Sequence, residues 1–591
     1  MINYYQEKIK ITSTLFQQQS KYNLFFDVFR GIVFLLILVF AYLALKNQGV
    51  FYWGLLGFFV ILFLYVIKKS DQVARKLTYY QELKKGYENE LENIVHHRNS
   101  YPNGEEFRDF NHPYTNDLDI FGESSLFHVL NRCRTYSGYS YFAKQLESLS
   151  ENVGQIEQRQ EAIRELQQNH NELIFHLLAL QGTHKNSSTK GLIQTWLQQS
   201  NQFRLSILMK GLIYALPILN LVLLILGFLQ PYLFGVLFVF LMLQWLILSR
   251  YNSAVNQMKY ELGLVIDDIK QFDVYTDALK DVEFHSPLLQ QIRREVMLFR
   301  KSTRQIYQIL TSFDMGDSMI GAVGNLMFLT QIKTASKLNK WKDTYRATFP
   351  ALIGAICEWE TLSSLTIFYM NHPQFVFPKI LENSSDTMID ACDLGHPLLD
   401  EKSRIGNDFS IRKNNFQVIT GANMAGKSTY LRTVGINYVL ACCGMPVCAE
   451  SMVVYPAKLV TSLRTSDNLM NNESYFFAEL KRLKMIIDLL QDGEELFIIL
   501  DEILKGTNSV DKQKGSLALM KQFVNLKTCG IIATHDLLLG NLEAEFPEQI
   551  RNYRFEADIK GDELRFSYQL HDGVAKNMNA CFLMQKMGIT V

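Results

Sequence analysis

Residues 416–433 read FQVITGANMAGKSTYLRT. Phe416 to Thr420 has the apolar, β-branched content of a short buried strand, and from Tyr430 onward the pattern is helical. Between them Gly421, Ala422, Asn423, Met424, Ala425, Gly426, Lys427, Ser428 and Thr429 spell GxxxxGK[ST] in the strand–loop–helix setting that gives the motif its meaning. Glycines let the backbone curl until its N–H groups face phosphate oxygens at a helix N-terminus. Lys427 is expected to reach the β- and γ-phosphates of ATP, and the Ser428 hydroxyl to ligate Mg²⁺. The stretch points to an α/β nucleotide-binding domain.

Downstream, Leu496 to Leu500 is a second buried strand and delivers Asp501 and Glu502 at its end. Asp501 is expected to bind Mg²⁺, directly or through water, and Glu502 to polarise the attacking water. Two solvated acids at a strand end would be the ordinary alternative, and the phosphate loop upstream weighs against it. A third strand, Gly530 to Ala533, leads into Thr534-His535-Asp536, which puts His535 where it can sense a γ-phosphate.

Upstream the text changes character. The whole chain of 591 residues balances 59 Lys+Arg against 59 Asp+Glu, with 48% hydrophobic positions. That neutrality argues against bulk-charge binding of nucleic acid, though not against a local basic groove. Eight cysteines without a CxxC pair read as reduced and intracellular. The even average conceals four uncharged apolar runs: Gly31–Leu45 with its apolar lead-in, Phe51–Ile67, Gly211–Leu229 and Leu233–Ser249. Each nears the roughly 17–25 residues of a spanning helix, and they fall into two tight pairs. A buried core helix rarely stays uncharged on every face for so long.

Basic residues orient the pairs. Lys8, Lys10, Lys21 and Arg30 precede the first, and Lys68, Lys69, Arg75 and Lys76 follow it, against Lys46 alone in its loop. Arg204, Lys210, Arg250 and Lys259 flank the second, whose loop Gln230-Pro231-Tyr232 is uncharged. The positive-inside rule then puts both termini and all large polar segments in the cytoplasm of a multi-pass inner-membrane protein. Val73, Leu77, Tyr80, Leu83, Tyr87, Leu91 and Ile94 form one face of a helix leaving the membrane, and polar His97–Asp119 reads as a linker. Ser125 to about Leu180 and Asp267–Met370 are helical territories with no strand-like alternation.

The phosphate-loop region resembles the MutS family of ATPases. Gly421–Thr433 is similar to that family's phosphate loop, and Ser474-Tyr-Phe-Phe-Ala-Glu479-Leu480 to its STF-and-acid segment. Asp501–Ser509 resembles its DE-x-G-R-G-T-S run, Ala533-Thr534-His535 its A-T-H, and Tyr568–Ala575 its final strand and turn. His396-Pro397 and Asn407-Asp408 match the approach to its ATPase domain; Leu126–Arg132, Gly138 and Ile156–Gln160 resemble, more weakly, the start of its lever domain. Leu504, Lys505, Tyr475 and Asp536 depart from the family's residues, and residues 1–120 leave no room for its mismatch-reading domains.

The apolar runs and the resemblance together imply a multidomain protein: the runs give two transmembrane hairpins, and the resemblance an α-helical, lever-like core and a C-terminal α/β P-loop ATPase domain of ABC type. The expected divisions are a cytosolic segment 1–22, hairpin 23–67, amphipathic helix and linker 68–119, core 120–205, hairpin 206–250, core 251–385 and ATPase domain 386–591. It further implies Mg²⁺-dependent ATP hydrolysis, a homodimer through the ATPase domains with Ser474 as a ligand to the partner's nucleotide, and DNA, mismatched or branched, as target. For Ser474 an N-cap role fits the local text equally well. The alternative function is a switch acting on a membrane or protein partner without DNA.

Overall fold

The computed structural model describes residues 1–47, 49–96, 99–181, 192–199, 203, 205–316, 319–382, 386–422, 424–464, 475–504, 508–560 and 563–575. Helices dominate the first two-thirds, and an α/β unit closes the chain.

Among the described residues five helices are long and apolar enough to cross a membrane, and their burial separates them. Ile2–Asn47 pairs with Val50–His96, and Ile207–Gly227 with Leu233–Gly263; the apolar windows of these four are only 6–22% buried. Phe349–Asn371 has a window 89% buried and is the central helix of the core. Helices Tyr136–Glu147, Val153–Asn169 and Pro287–Leu298 pack around it. Its two acids are satisfied internally. Glu360 accepts hydrogen bonds from Thr135 Oγ1 and Tyr275 OH, both at 2.8 Å, while Glu358 takes Arg159 Nε at 2.9 Å and Tyr141 OH at 2.6 Å. Buried carboxylates persist only with such partners.

The first hairpin stands on the end of this helix. Tyr5 OH donates to Asn371 Oδ1 at 2.7 Å, Asn371 Nδ2 donates to Glu90 Oε2 at 2.8 Å, and Arg132 clasps Glu90 at 2.9 and 2.7 Å. From Tyr5 the helix runs sixteen residues, about 24 Å, before Lys21, so the hairpin's apolar part is held off the core on a stalk.

The α/β unit has two sheets. The smaller runs β1 (Lys379–Ile380), β5 (Ser451–Val454), β2 (Thr387–Leu394), β3 (Asn407–Arg412). The larger runs β10 (Glu563–Asp572), β9 (Ile550–Lys560), β4 (Phe416–Gly421), β8 (Cys529–Thr534), β7 (Leu496–Asp501), β6 (Lys458–Ser462). All neighbours from β9 to β6 are parallel, and β10 is antiparallel to β9. β4 and β8 are buried throughout and β7 up to Leu500, which is why they read as unbroken apolar runs rather than alternating ones. Three consecutive positions across the sheet therefore end at one edge.

The stretch expected as a linker is not one. Tyr114, Thr115, Asp117 and Leu118 are buried, and Asp117 accepts from Thr461 Oγ1, Leu463 N and Arg464 N at 2.7–3.2 Å. Arg482 donates to the carbonyls of Asn111 and His112 at 3.0 and 2.7 Å. Pro and Asn content marked the absence of regular structure; it carried no information about docking. The segment is an arm bound to the end of β6.

Candidate nucleotide site

The parallel order brings the ends of β4, β8 and β7 side by side, and the polar groups after them converge. Helix Lys427–Cys442 starts straight from the loop after β4. Two glycines make that loop feasible. At Gly421 (φ 154°) a Cβ would lie 2.7 Å from Phe555 O, and at Gly426 (φ 102°) it would lie 2.9 Å from the Tyr568 ring.

Lys427 is buried, with Nζ donating to the carbonyls of Gly421 and Ala422 at 2.8 and 2.9 Å and lying 3.3 Å from His535 Nε2. Ser428 Oγ donates to Asp501 Oδ2 at 2.5 Å. His535 Nε2 is 2.7 Å from Glu502 Oε1. Nε2 can donate to Glu502 only while it carries the proton, so the tautomer of His535 decides whether Glu502 is held. Of the expected site residues, Gly421, Ala422, Met424, Ala425, Gly426, Lys427, Ser428, Thr429, Asp501, Glu502 and His535 meet at this edge. Asn423 and Ser474 lie outside the described residues, so Ser474 is neither brought to the site nor excluded from it.

A hydroxyl and a carboxylate 2.5 Å apart are hard oxygen donors of the kind Mg²⁺ takes together with phosphate oxygens. The residues present fit Mg²⁺ and a polyphosphate.

Three features escaped the sequence reading. Beside Gly426 lies a cavity of about 290 Å³, lined among others by His396, Ile405, Asn407, Tyr430, Phe555 and Tyr568. Its size and its apolar and aromatic walls suit a planar base attached to phosphates in the loop. Tyr568 sits in a bulge of β10 at φ 53°, and Asn407 pins that bulge by donating to Tyr568 O at 3.1 Å and accepting from Leu570 N at 2.7 Å. Burial lowers His396 to about 4, so it faces the cavity neutral. Finally, Glu502 and Leu504 hold positive φ, and the buried Glu479 carboxylate accepts from Leu504 N. Glu479 is a positioning residue for the acidic turn. Its acid was visible in the sequence, but nothing there showed that it faces the turn after β7.

Residues 417–588 match the family described as MutS domain V. The C-terminal third of the chain is similar to proteins of the MutS family. The human MutS protein homolog 4 is 31% identical over 195 residues, 31% of this chain and 20% of that protein. The DNA mismatch repair protein MutS of Thermotoga neapolitana is 31% identical over 185 residues, 30% of this chain and 23% of that protein. The DNA mismatch repair protein MSH3 of Vanderwaltozyma polyspora is 28% identical over 233 residues, 38% of this chain and 22% of that protein. The chain thus spans between a fifth and a quarter of the length of these MutS relatives. The domain V match takes in the loop after β4, Asp501, Glu502 and His535, and leaves residues 1–416 outside it.

Proposed function

We propose that this protein is a membrane-anchored MutS-type ATPase in which Mg²⁺-dependent ATP hydrolysis drives a dimeric switch. The observation that carries the proposal is the convergence of Lys427, Ser428, Asp501, Glu502 and His535 at the ends of three adjacent parallel strands. ATP bound there would have its phosphates on the loop N–H groups and Lys427, its Mg²⁺ on Ser428 and Asp501, and its base in the cavity beside Tyr568. Bound Mg²⁺ supplies neutralisation of phosphate charge. Glu502 accepts a proton from the attacking water, and His535 steadies that carboxylate by donating from Nε2.

The two apolar hairpins carry the membrane reading, with the ATPase domain on the cytoplasmic side of an inner membrane. Dimerisation through the ATPase domains would close the γ-phosphate side, with Ser474 as the proposed ligand from the partner subunit. DNA as the target rests on the relatives' names. A second reading, in which the switch works on a membrane or protein partner, is favoured by the exposed apolar hairpin between Ile207 and Gly263, which interrupts the helical core.

Phosphate release by the solubilised full chain tests the proposal: turnover that requires Mg²⁺ is expected, and no ATP-dependent release with nucleotide shown to bind would count against it. Binding to duplex, mismatched and branched DNA across a salt series separates the two targets, since phosphate contacts give a steep negative slope. Flat or undetectable binding would remove DNA.

A further inference from the structure

Helices Arg300–Gly316 and Thr330–Tyr345 form an antiparallel pair that leaves the core beside the second hairpin and returns to it. Trp341 ties the pair together, its Nε1 donating to Ser302 O at 2.9 Å, and its ring meets Phe349, the first residue of the central helix, at 5.0 Å. At the far end sits a third helix, Met319–Phe328, with sequence MIGAVGNLMF. Residues 318–332 contain no charged side chain, with Asp314 and Asp317 before them and Lys333 after. At ten residues this helix is too short to count as a span by length.

Its depth can be read from its contacts with the second hairpin. Asn220 Nδ2 lies 3.0 Å from Gln244 Oε1, so these residues share a level in the two antiparallel helices. Six residues toward the core on each helix are Tyr214 and Arg250, and Arg250 is the first charge after the uncharged run from Leu233. Lys333 lies over the Tyr214 ring at 5.5 Å. Tyr214, Arg250 and Lys333 therefore mark one boundary. Met327 touches the hairpin at Asn220, which is about 9 Å beyond that boundary at 1.5 Å per residue. Met327 therefore lies on the apolar side of the cations.

The backbone there is treated as a hydrocarbon environment requires. The helix breaks at Leu329 (φ 53°), which frees carbonyls that no helical N–H will meet. Asn220 Nδ2, fully buried in the hairpin, donates to Met327 O at 2.7 Å. Asn325 Oδ1 accepts from Gln331 N at 3.0 Å on the other side of the break. A broken helix survives in lipid only where side chains take up the freed groups. Val323 is 61% exposed and Phe328 38% exposed, next to the uncovered apolar helices of the second hairpin.

We infer that Met319–Phe328 is a re-entrant membrane helix whose exposed side chains, Val323 and Phe328, contact phospholipid acyl chains, so that the tip of the helical pair lies inside the bilayer. The inference rests on the membrane reading of the second hairpin and adds a fifth, non-spanning element to it. Movement of the pair would then be delivered within the membrane.

Spin labels on single cysteines, in a background with Cys392 and Cys581 changed to Ser, test this in full-length protein in phospholipid vesicles. Collision with dissolved oxygen, which partitions into lipid, is compared with collision with a water-soluble nickel chelate. Val323→Cys and Ala322→Cys are expected to be oxygen-rich and nickel-poor, like Ile225→Cys in the hairpin, while Gln308→Cys lower on the same pair is nickel-rich. Nickel-rich behaviour at 322 and 323 with an oxygen-rich Ile225 would overturn the re-entrant tip and leave the anchor intact. Low collision with both reagents at 322 and 323 would place the tip in protein and also overturn it. A nickel-rich Ile225 would end the anchor reading and the inference with it.

Discussion

In the larger sheet, the short apolar runs of β4, β7 and β8 are covered on both faces and end in polar groups that approach within about 3 Å of one another. In the two hairpins, much longer apolar runs stay uncovered. Burial inside protein and exposure to a surrounding medium are thus separate fates of similar composition, and the central helix Phe349–Asn371 shows that length and hydropathy alone do not choose between them. What separates it is Glu358 and Glu360, whose carboxylates are satisfied by Arg159, Tyr141, Thr135 and Tyr275. The hairpin runs carry no charge that would need such partners.

The sharpest break between the regions is at Lys427. Lys427→Ala removes the buried cation held on the carbonyls of Gly421 and Ala422 and, if the proposed site binds ATP, should reduce that binding by about 100-fold or more, on the scale of lost preorganised charge in active sites. Glu502→Gln should keep ATP but slow turnover by roughly 10²–10⁴-fold, read as phosphate release against filter-retained nucleotide. Neither should alter membrane extraction. Wild-type turnover in Glu502→Gln would reassign the general base.

The converse test touches only the hairpins. Cysteines at Tyr232 and near Gln48 should react with an impermeant maleimide added to intact cells, and one at Ser70 should not. Labelling at Ser70 would invert the topology without touching the nucleotide chemistry.

A third prediction lies at the joint. Asp117→Ala strands Leu463 N and Arg464 N, buried or half-buried donors costing about 1–3 kcal/mol each when unpaired, while Thr461 Oγ1 keeps Pro113 O at 3.3 Å. Thermal unfolding of the ATPase domain should move down by several degrees, while Asp109→Ala, on the same arm but exposed, should change little. Equal melting of both variants would return the arm to the status of a linker.

These contrasts show how far the residues speak for themselves. The places of the glycine-rich loop after β4 and of the acids after β7 were legible because each motif is contiguous and follows directly on a strand. Strand ends also gave the place of His535. The cavity at Tyr568 was not legible, because Asn407, Gly426 and Tyr568 are far apart in sequence and meet only through β-sheet order. The arm at Asp117 was hidden for the same reason. Its polar composition is that of a loop, and its partners lie about 345 residues away.

The smallest effect expected is one of pH. His396 is held at about 4 in the folded protein by burial, with Arg432 adding to the effect, against 6.5 when free. The unfolded chain takes up this proton below about 6.5 and the folded one only near 4, so stability is present above 6.5 and is lost as pH falls through that window. His396→Asn should flatten the fall in melting temperature between pH 7 and 5 without abolishing it, because burial also lowers His112 and His128. An unchanged slope would take His396 out of the account.

The proposed ATP-driven switch predicts that nucleotide in the C-terminal unit moves the helical pair beside the second hairpin. Spin labels at Gln308→Cys in the Glu502→Gln protein, reconstituted in vesicles as the expected homodimer, measure the distance between the two pairs. ATP with Mg²⁺ should shift that distribution relative to the nucleotide-free protein, and ADP should return it. A distribution identical in all three states, with ATP shown to be bound, would contradict the coupling.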